Sequence, residues 1–198
     1  MTGYINSRRR TALTVVRNSS IGACLVLGGL AACKPGTPET AVSNALLFND
    51  FESSVGWSDV QEGSLTTEKA HSGRWSMQTN ATIPFSFTYV RQLGRLDPAL
   101  TRSYELRGWV LRASTGSTGR LVVQISKSAT DTAKVFYGTL DVGSVVKSFN
   151  QWEPVLLPVE LPATAAADNL VKVYLWNDQG TAATYVDDLQ LTSATAPK

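Results

Sequence analysis

Cysteine is nearly absent from this chain. Its two cysteines, Cys24 and Cys33, both lie near the N-terminus, so the sequence beyond them can form neither a disulfide nor a thiolate metal site. Histidine is scarcer still. His71 stands alone, and any Ser-His-Asp chemistry would have to use that one imidazole, yet no Gly-x-Ser-x-Gly elbow surrounds a serine. There is no phosphate-binding loop and no dinucleotide fingerprint. The acids are scattered over strand ends and turns rather than paired across a cleft, as glycoside cleavage requires. An excess of charge is also missing. The net charge is +2, part of it from arginines at the very start, which leaves no electrostatic reason to seek nucleic acid. Finally, no apolar run approaches the ~20 residues that span a bilayer.

What is present begins with the layout of an export signal. Residues 1–20 carry Arg8, Arg9, Arg10 and Arg17 and no acid, and residues 21–32 are apolar or small. A basic start, a short apolar middle and small residues before a cut are the parts of such a signal. Residues 30–33, "LAAC", resemble the lipobox of bacterial lipoproteins. The resemblance implies that residues 1–32 are a removed signal peptide and that Cys33 is lipidated and becomes the first residue. The protein is then exported and lipid-anchored at the cell envelope. The triple arginine also fits twin-arginine export, although Thr11 stands where that motif has a bulky apolar residue.

Residues 33–44, rich in Pro, Thr and Ser, read as a flexible tether. Residues 45–193 are uniform in texture and, at about 150 residues, suffice for one domain with its own core. Residues 194–198 read as a short tail. Period-two alternation dominates the domain. It places Phe85, Phe87 and Tyr89 on one face, Leu121, Val123 and Ile125 on another, and Val171, Val173 and Leu175 on a third. Further strands are expected near 46–52, 64–69, 74–80, 104–112, 134–140 and 152–160, with turn signals between them. Only 163–169, "ATAAADN", offers a short helix, and alanine propensity alone does not hold so short a segment. Many short strands without helices predict an all-β protein, a two-sheet antiparallel sandwich.

Along the chain stand "LLFNDFES", "KAHSGRWSMQT", "SYELRGWVLRAS", "NQWEPVLLPVELP" and "VKVYLWNDQGTAATYVDDLQL". In this order they resemble the jelly-roll carbohydrate-binding modules of galactose-binding-like fold, over about residues 45–192. The resemblance implies a β-sandwich that binds polysaccharide or oligosaccharide and performs no chemistry.

Asp187 attracts notice on its own. Strict alternation puts it on the face of Leu189 and Leu191, where a carboxylate costs several kcal/mol unless paired or metal-bound. The family resemblance implies one structural Ca²⁺ held by Glu52 and Asp187, with backbone carbonyls of Asp50, Lys69 and Ser72 completing an all-oxygen shell. Alternatively, Asp187 caps a turn or pairs with Arg74 or Lys69. Asp188 is expected to point the other way, into solvent. His71 is expected to be a turn residue packed on the sandwich edge, and Trp57 and Trp152 to be core or loop-packing residues.

A sugar is held by aromatic faces that stack on its rings and by planar polar groups that bond its hydroxyls. Three strands offer both on their other faces: Glu105, Arg107 and Trp109; Gln124 and Ser126; Lys172, Tyr174 and Trp176. If these strands are neighbours, the set forms a binding groove. If Trp109 and Trp176 are core instead, the sandwich is a structural or protein-interaction lipoprotein. A one-residue error of register would exchange every assignment. A related family layout binds at loops, for which "STGSTG" at 114–119 and "NDQG" at 177–180 are candidates. A small carbohydrate-active enzyme is the remaining alternative, built on a pocket joining Glu105 to a second carboxylate.

Overall fold

The structure is a computed structural model that describes residues 44–53 and 63–194. The signal segment, Cys33, most of the tether, Trp57 and the last four residues lie outside the described residues. Ten strands run in chain order: β1 (Ala45–Asn49), β2 (Leu65–Thr66), β3 (Ser76–Thr79), β4 (Tyr89–Gln92), β5 (Ser103–Arg112), β6 (Gly119–Ser126), β7 (Lys134–Asp141), β8 (Trp152–Glu160), β9 (Leu170–Asn177) and β10 (Thr184–Ser193). Two single-turn helices, α1 (Leu93–Leu96) and α2 (Val142–Val145), fill turns after β4 and β7. Residues 163–169 form turns, not a helix.

All pairings are antiparallel and fall into two sheets. The larger has the order β2-β3-β10-β5-β8 with β1 also on β10, and the smaller the order β4-β9-β6-β7. The core lies between them. Leu121, Val123, Ile125, Val171, Val173 and Leu175 come from the smaller sheet, Leu106, Val110, Val155, Val186, Leu189 and Leu191 from the larger, and all are buried. The sequence reading of those faces holds for β6 and β9.

Two bulges reverse faces that alternation assigns, beside smaller register shifts at Ala45/Leu47 and Ile125/Ser126. In β10, Asp187 pairs with Trp109 but Gln190 pairs with Arg107. Three steps on one strand therefore match two on the other, and one extra residue flips the parity. Asp188, at φ 49°, is where the chain bends. Gly108 makes room: a Cβ there would lie 2.7 Å from Leu189 Cδ2. Val186, Leu189 and Leu191 face the core, while Tyr185 and Asp187 share the outer face of the larger sheet. Asp187 is thus not on the core face of Leu189 and Leu191.

The second bulge precedes β4. Phe85 bridges Trp176, whereas Tyr89 pairs with Val173, so four steps match three. Ser86 holds the irregularity, because its Oγ accepts from Leu175 N at 2.9 Å while its own N–H donates to Leu175 O at 2.9 Å. Phe87 and Tyr89 turn inward, and Phe85 turns outward, 45% exposed. The expectation that all three share one face is corrected accordingly.

Candidate functional site

The outer face of the smaller sheet gathers aromatic and polar side chains in register. Trp176 lies opposite Arg120, Tyr174 opposite Val122, and Lys172 opposite Gln124. Across the next ladder Gln124 meets Tyr137, and Arg120 meets Asp141. Phe85 stacks on Trp176 with ring centres 6.4 Å apart and planes 12° from parallel, and meets Tyr174 edge-on at 6.2 Å. The Tyr174 hydroxyl donates to Gln124 Oε1 at 3.2 Å. Burial, and then the Tyr137 hydroxyl, raise the Tyr174 phenol above its ordinary value. Tyr137 is 40% exposed, with Lys134 Nζ 4.1 Å above its ring. Arg120 Nε donates to Asp178 Oδ2 at 2.6 Å. Ser126 sits in the next row, buried beside Leu170.

This face holds Trp176, Tyr174, Gln124, Ser126 and Lys172 as the sequence grouped them. It does not hold Glu105, Arg107 or Trp109. These belong to β5, in the opposite sheet, and the three-strand grouping is corrected. Glu105 and Arg107 pair with each other at 2.6 Å on that sheet's surface. Sequence reasoning missed Phe85, Tyr137 and Arg120. A strand over 134–140 is expected from the sequence, but its faces were not assigned, and Phe85 is displaced by the bulge. The loops 114–119 and 177–180 are bonded to each other, with Thr118 Oγ1 donating to Asp178 O at 2.5 Å and Thr181 N to Gly116 O at 3.0 Å.

A second cluster lies on the larger sheet. β3 pairs with residues 184–186 of β10, and β1 with residues 189–192, on the same edge. The gap falls at the bulge, and the turn before β3 fills it. His71 N donates to Asp187 Oδ2 at 2.7 Å, Ser72 N to the same oxygen at 3.2 Å, and Asp188 N to Asp187 Oδ1 at 2.8 Å. Asp188 is buried, not solvated: its Oδ1 accepts from Ser72 Oγ at 2.8 Å and its Oδ2 lies 2.6 Å from His71 Nδ1. The His71 ring stacks on Trp109 at 4.0 Å and meets Trp152 edge-on at 5.8 Å. These contacts account for the half-buried Trp109 and give His71 a packing and orienting role.

Glu52 reaches the same turn from the end of β1. An Asx turn, with Asp50 Oδ1 accepting from Glu52 N at 3.2 Å, redirects the chain. Glu52 Oε1 then accepts from Arg74 N at 2.6 Å and Trp75 N at 2.7 Å. Gly73, at φ 56°, lies under this carboxylate, and a Cβ there would sit 2.4 Å from Glu52 Oε1. Gly73→Ala should therefore destabilise the domain by 1 kcal/mol or more, since the αL cost and the clash add. A melting temperature within a degree of wild type would refute that placement.

Asp187 is fully buried, and no basic side chain among the described residues pairs with it or with Glu52. Burial, then the Asp188 charge, push its carboxyl up to about 7, against the lowering effect of the His71, Asp188 and Ser72 N–H groups. No trio of His, Cys, Asp or Glu gathers as a metal cluster among the described residues. Three carboxylates, Glu52, Asp187 and Asp188, instead accept hydrogen bonds from this turn. Each Asp187 oxygen keeps acceptor capacity beyond its N–H bonds, and Lys69 O accepts from Ser76 Oγ at 2.5 Å. A hard divalent cation fits this all-oxygen set in kind.

No protein-family model matches the sequence, and no curated protein matches it. Solved structures do. The tandem pair of family 22 carbohydrate-binding modules from Paenibacillus barcinonensis Xyn10C aligns with a TM-score of 0.52 at 18% identity, over 82% of this chain and 52% of that one. The C-terminal family 22 module of Clostridium thermocellum Xyn10B aligns at 0.50 and 16% identity, over 81% and 99%. A xylan-binding domain of the same module family aligns at 0.50 and 16%, over 79% and 99%. The fold is therefore the two-sheet jelly roll of carbohydrate-binding modules. At these identities the likeness concerns the fold alone.

Proposed function

We propose that this protein is a non-catalytic, polysaccharide-binding module displayed on the bacterial cell envelope by a lipid on Cys33. The observation that carries the binding role is the outer face of the smaller sheet. Two stacked aromatics and two phenols lie together on it around the buried amide of Gln124, with Phe85 and Tyr137 exposed, where a solvated sheet would show short polar side chains. Aromatic faces supply apolar area with little conformational entropy to lose, and the polar groups between them fix a sugar's hydroxyls. Xylan is the natural first probe, because a structural neighbour is named a xylan-binding domain. In a polysaccharide array the full chain in detergent should bind one or more glycan chains. Silence across the array would favour the protein-interaction reading.

The anchor and the metal extend this proposal. Cys33→Ala should shift the protein from the membrane fraction to the soluble fraction and abolish incorporation of labelled fatty acid. Retention of label in that variant would remove the anchor. A Ca²⁺ ion at the His71 turn would supply the positive charge that the buried Asp187 lacks. Glu52 and Asp187 would hold it, with carbonyls of Asp50, Lys69 and Ser72 as further candidates. By tying the end of β1 to β10 it would fasten the N-terminal strand, a clamp for a domain without disulfides.

A further inference from the structure

The candidate face is electrically lopsided. At the Trp176 end the balance is not positive, since the one cation Arg120 lies 2.6 Å from Asp178 and 3.9 Å from Asp141. The other end is cationic. Lys172 lies opposite Gln124, Lys134 lies opposite Ser126, and Arg95 borders an open groove with Val90, Gln92 and Leu170. None of these three cations forms an ion pair among the described residues, although Lys134 also lies over the Tyr137 ring. Neither nearby acid pairs with these cations. Asp131 pairs with Lys127 at 3.5 Å, and Asp168 Oδ1 accepts from the Asn169 amide at 3.4 Å. Beside the groove, the buried Ser126 hydroxyl has no partner. Lys172 and Trp176 lie on one face of β9, four residues or ~13 Å apart, a span for more than one sugar ring.

Three cations without a carboxylate partner at one end repel each other and draw an anion. A carboxylate is the group that charge-assisted hydrogen bonds from guanidinium and ammonium suit. Resting on the glycan reading above, we infer that the groove takes a polysaccharide bearing carboxylates, with uronic acid residues at the Lys172 end and neutral rings stacked at the Trp176 end.

The test compares glucuronoxylan with the same preparation after its carboxyls are reduced to alcohols, against the full chain in detergent. Carboxyl reduction should weaken binding five- to tenfold at low salt. Lys172→Ala and Arg95→Ala should each weaken binding of the native polymer severalfold and leave the reduced polymer unaffected. Raising salt to 0.5 M should erase the difference between polymers. Equal affinity for both polymers, with both lost in Trp176→Ala, overturns the charge inference and leaves the glycan site standing. Binding of either polymer that survives Trp176→Ala, or no binding of either, overturns the glycan reading and this inference with it.

Discussion

Trp176→Ala should lose at least thirtyfold in affinity for polysaccharide while the melting temperature stays within about two degrees of wild type. Truncating an aromatic anchor costs about 2 kcal/mol or more, and Trp176 is the largest ring of the aromatic group, stacked on Phe85. Its side chain lies partly buried on the outer face, so the core between the sheets is untouched. Stability changes at such positions stay near 0.5 kcal/mol. Trp109→Ala should behave in the opposite way. Trp109 is in the other sheet, under His71, and its loss should lower the melting temperature and leave retention on polysaccharide gels unchanged. If both variants lose retention equally, the site is not confined to the smaller sheet. If Trp176→Ala unfolds the domain, the indole is a core residue.

The second large effect concerns pH and the cation. Burial and the neighbouring Asp188 hold the Asp187 carboxyl at about 7 in the fold, whereas in the unfolded chain it titrates near 4. Between those values the folded state binds a proton that the unfolded state has lost. Without a cation, this contribution is full below pH 4 and is lost as pH rises through 7. Its size is of the order of a few kcal/mol. Asp97 works in the other direction and elsewhere. Burial opposes its ionisation, but bonds from Thr101, Tyr104 and Ala99 win and hold it below the usual carboxylate range, so its contribution is lost only in acid. The chelated protein should therefore melt several degrees lower at pH 8 than at pH 5. Millimolar Ca²⁺ should restore the difference at pH 8 and do little at pH 5. Asp187→Asn should flatten both responses. A chelated wild type that melts at the same temperature at both pH values, or Ca²⁺ that acts equally on Asp187→Asn, would end the calcium proposal.

The sheets were legible because most strands keep strict alternation. Leu121, Val123 and Ile125 point inward together, and so do Val171, Val173 and Leu175, so two neighbouring strands of the smaller sheet were assigned to the right face. The failures trace to pairing and to bulges. Alternation within β5 correctly separates Trp109 from Leu106 and Val110, but nothing in a single strand says which sheet it joins. Glu105, Arg107 and Trp109 were thus grouped with a face they do not share. One extra residue at Asp188 reversed the parity of Asp187, and one between Phe85 and Tyr89 reversed that of Phe85. Gly108 and the short polar Ser86 accompany these irregularities, yet neither residue type is specific enough to locate a bulge. Strict alternation turns Asp187 toward the core. Instead it faces away from it, and its burial comes from the His71–Ser72 turn lying across the gap between β1 and β3. That turn also buries Asp188, a long-range contact that sequence spacing does not reveal.

The account stands most directly on where a bound glycan touches the protein. Titrating isotope-labelled protein with xylohexaose, and with a uronate-bearing xylo-oligosaccharide, while following backbone amide shifts would locate it. The largest changes should fall on Phe85, Arg120, Gln124, Tyr137, Tyr174 and Trp176, with Lys172 and Arg95 responding to the charged ligand alone. Changes centred on β5 and β8, or on the loops at 114–119 and 177–180, would contradict it.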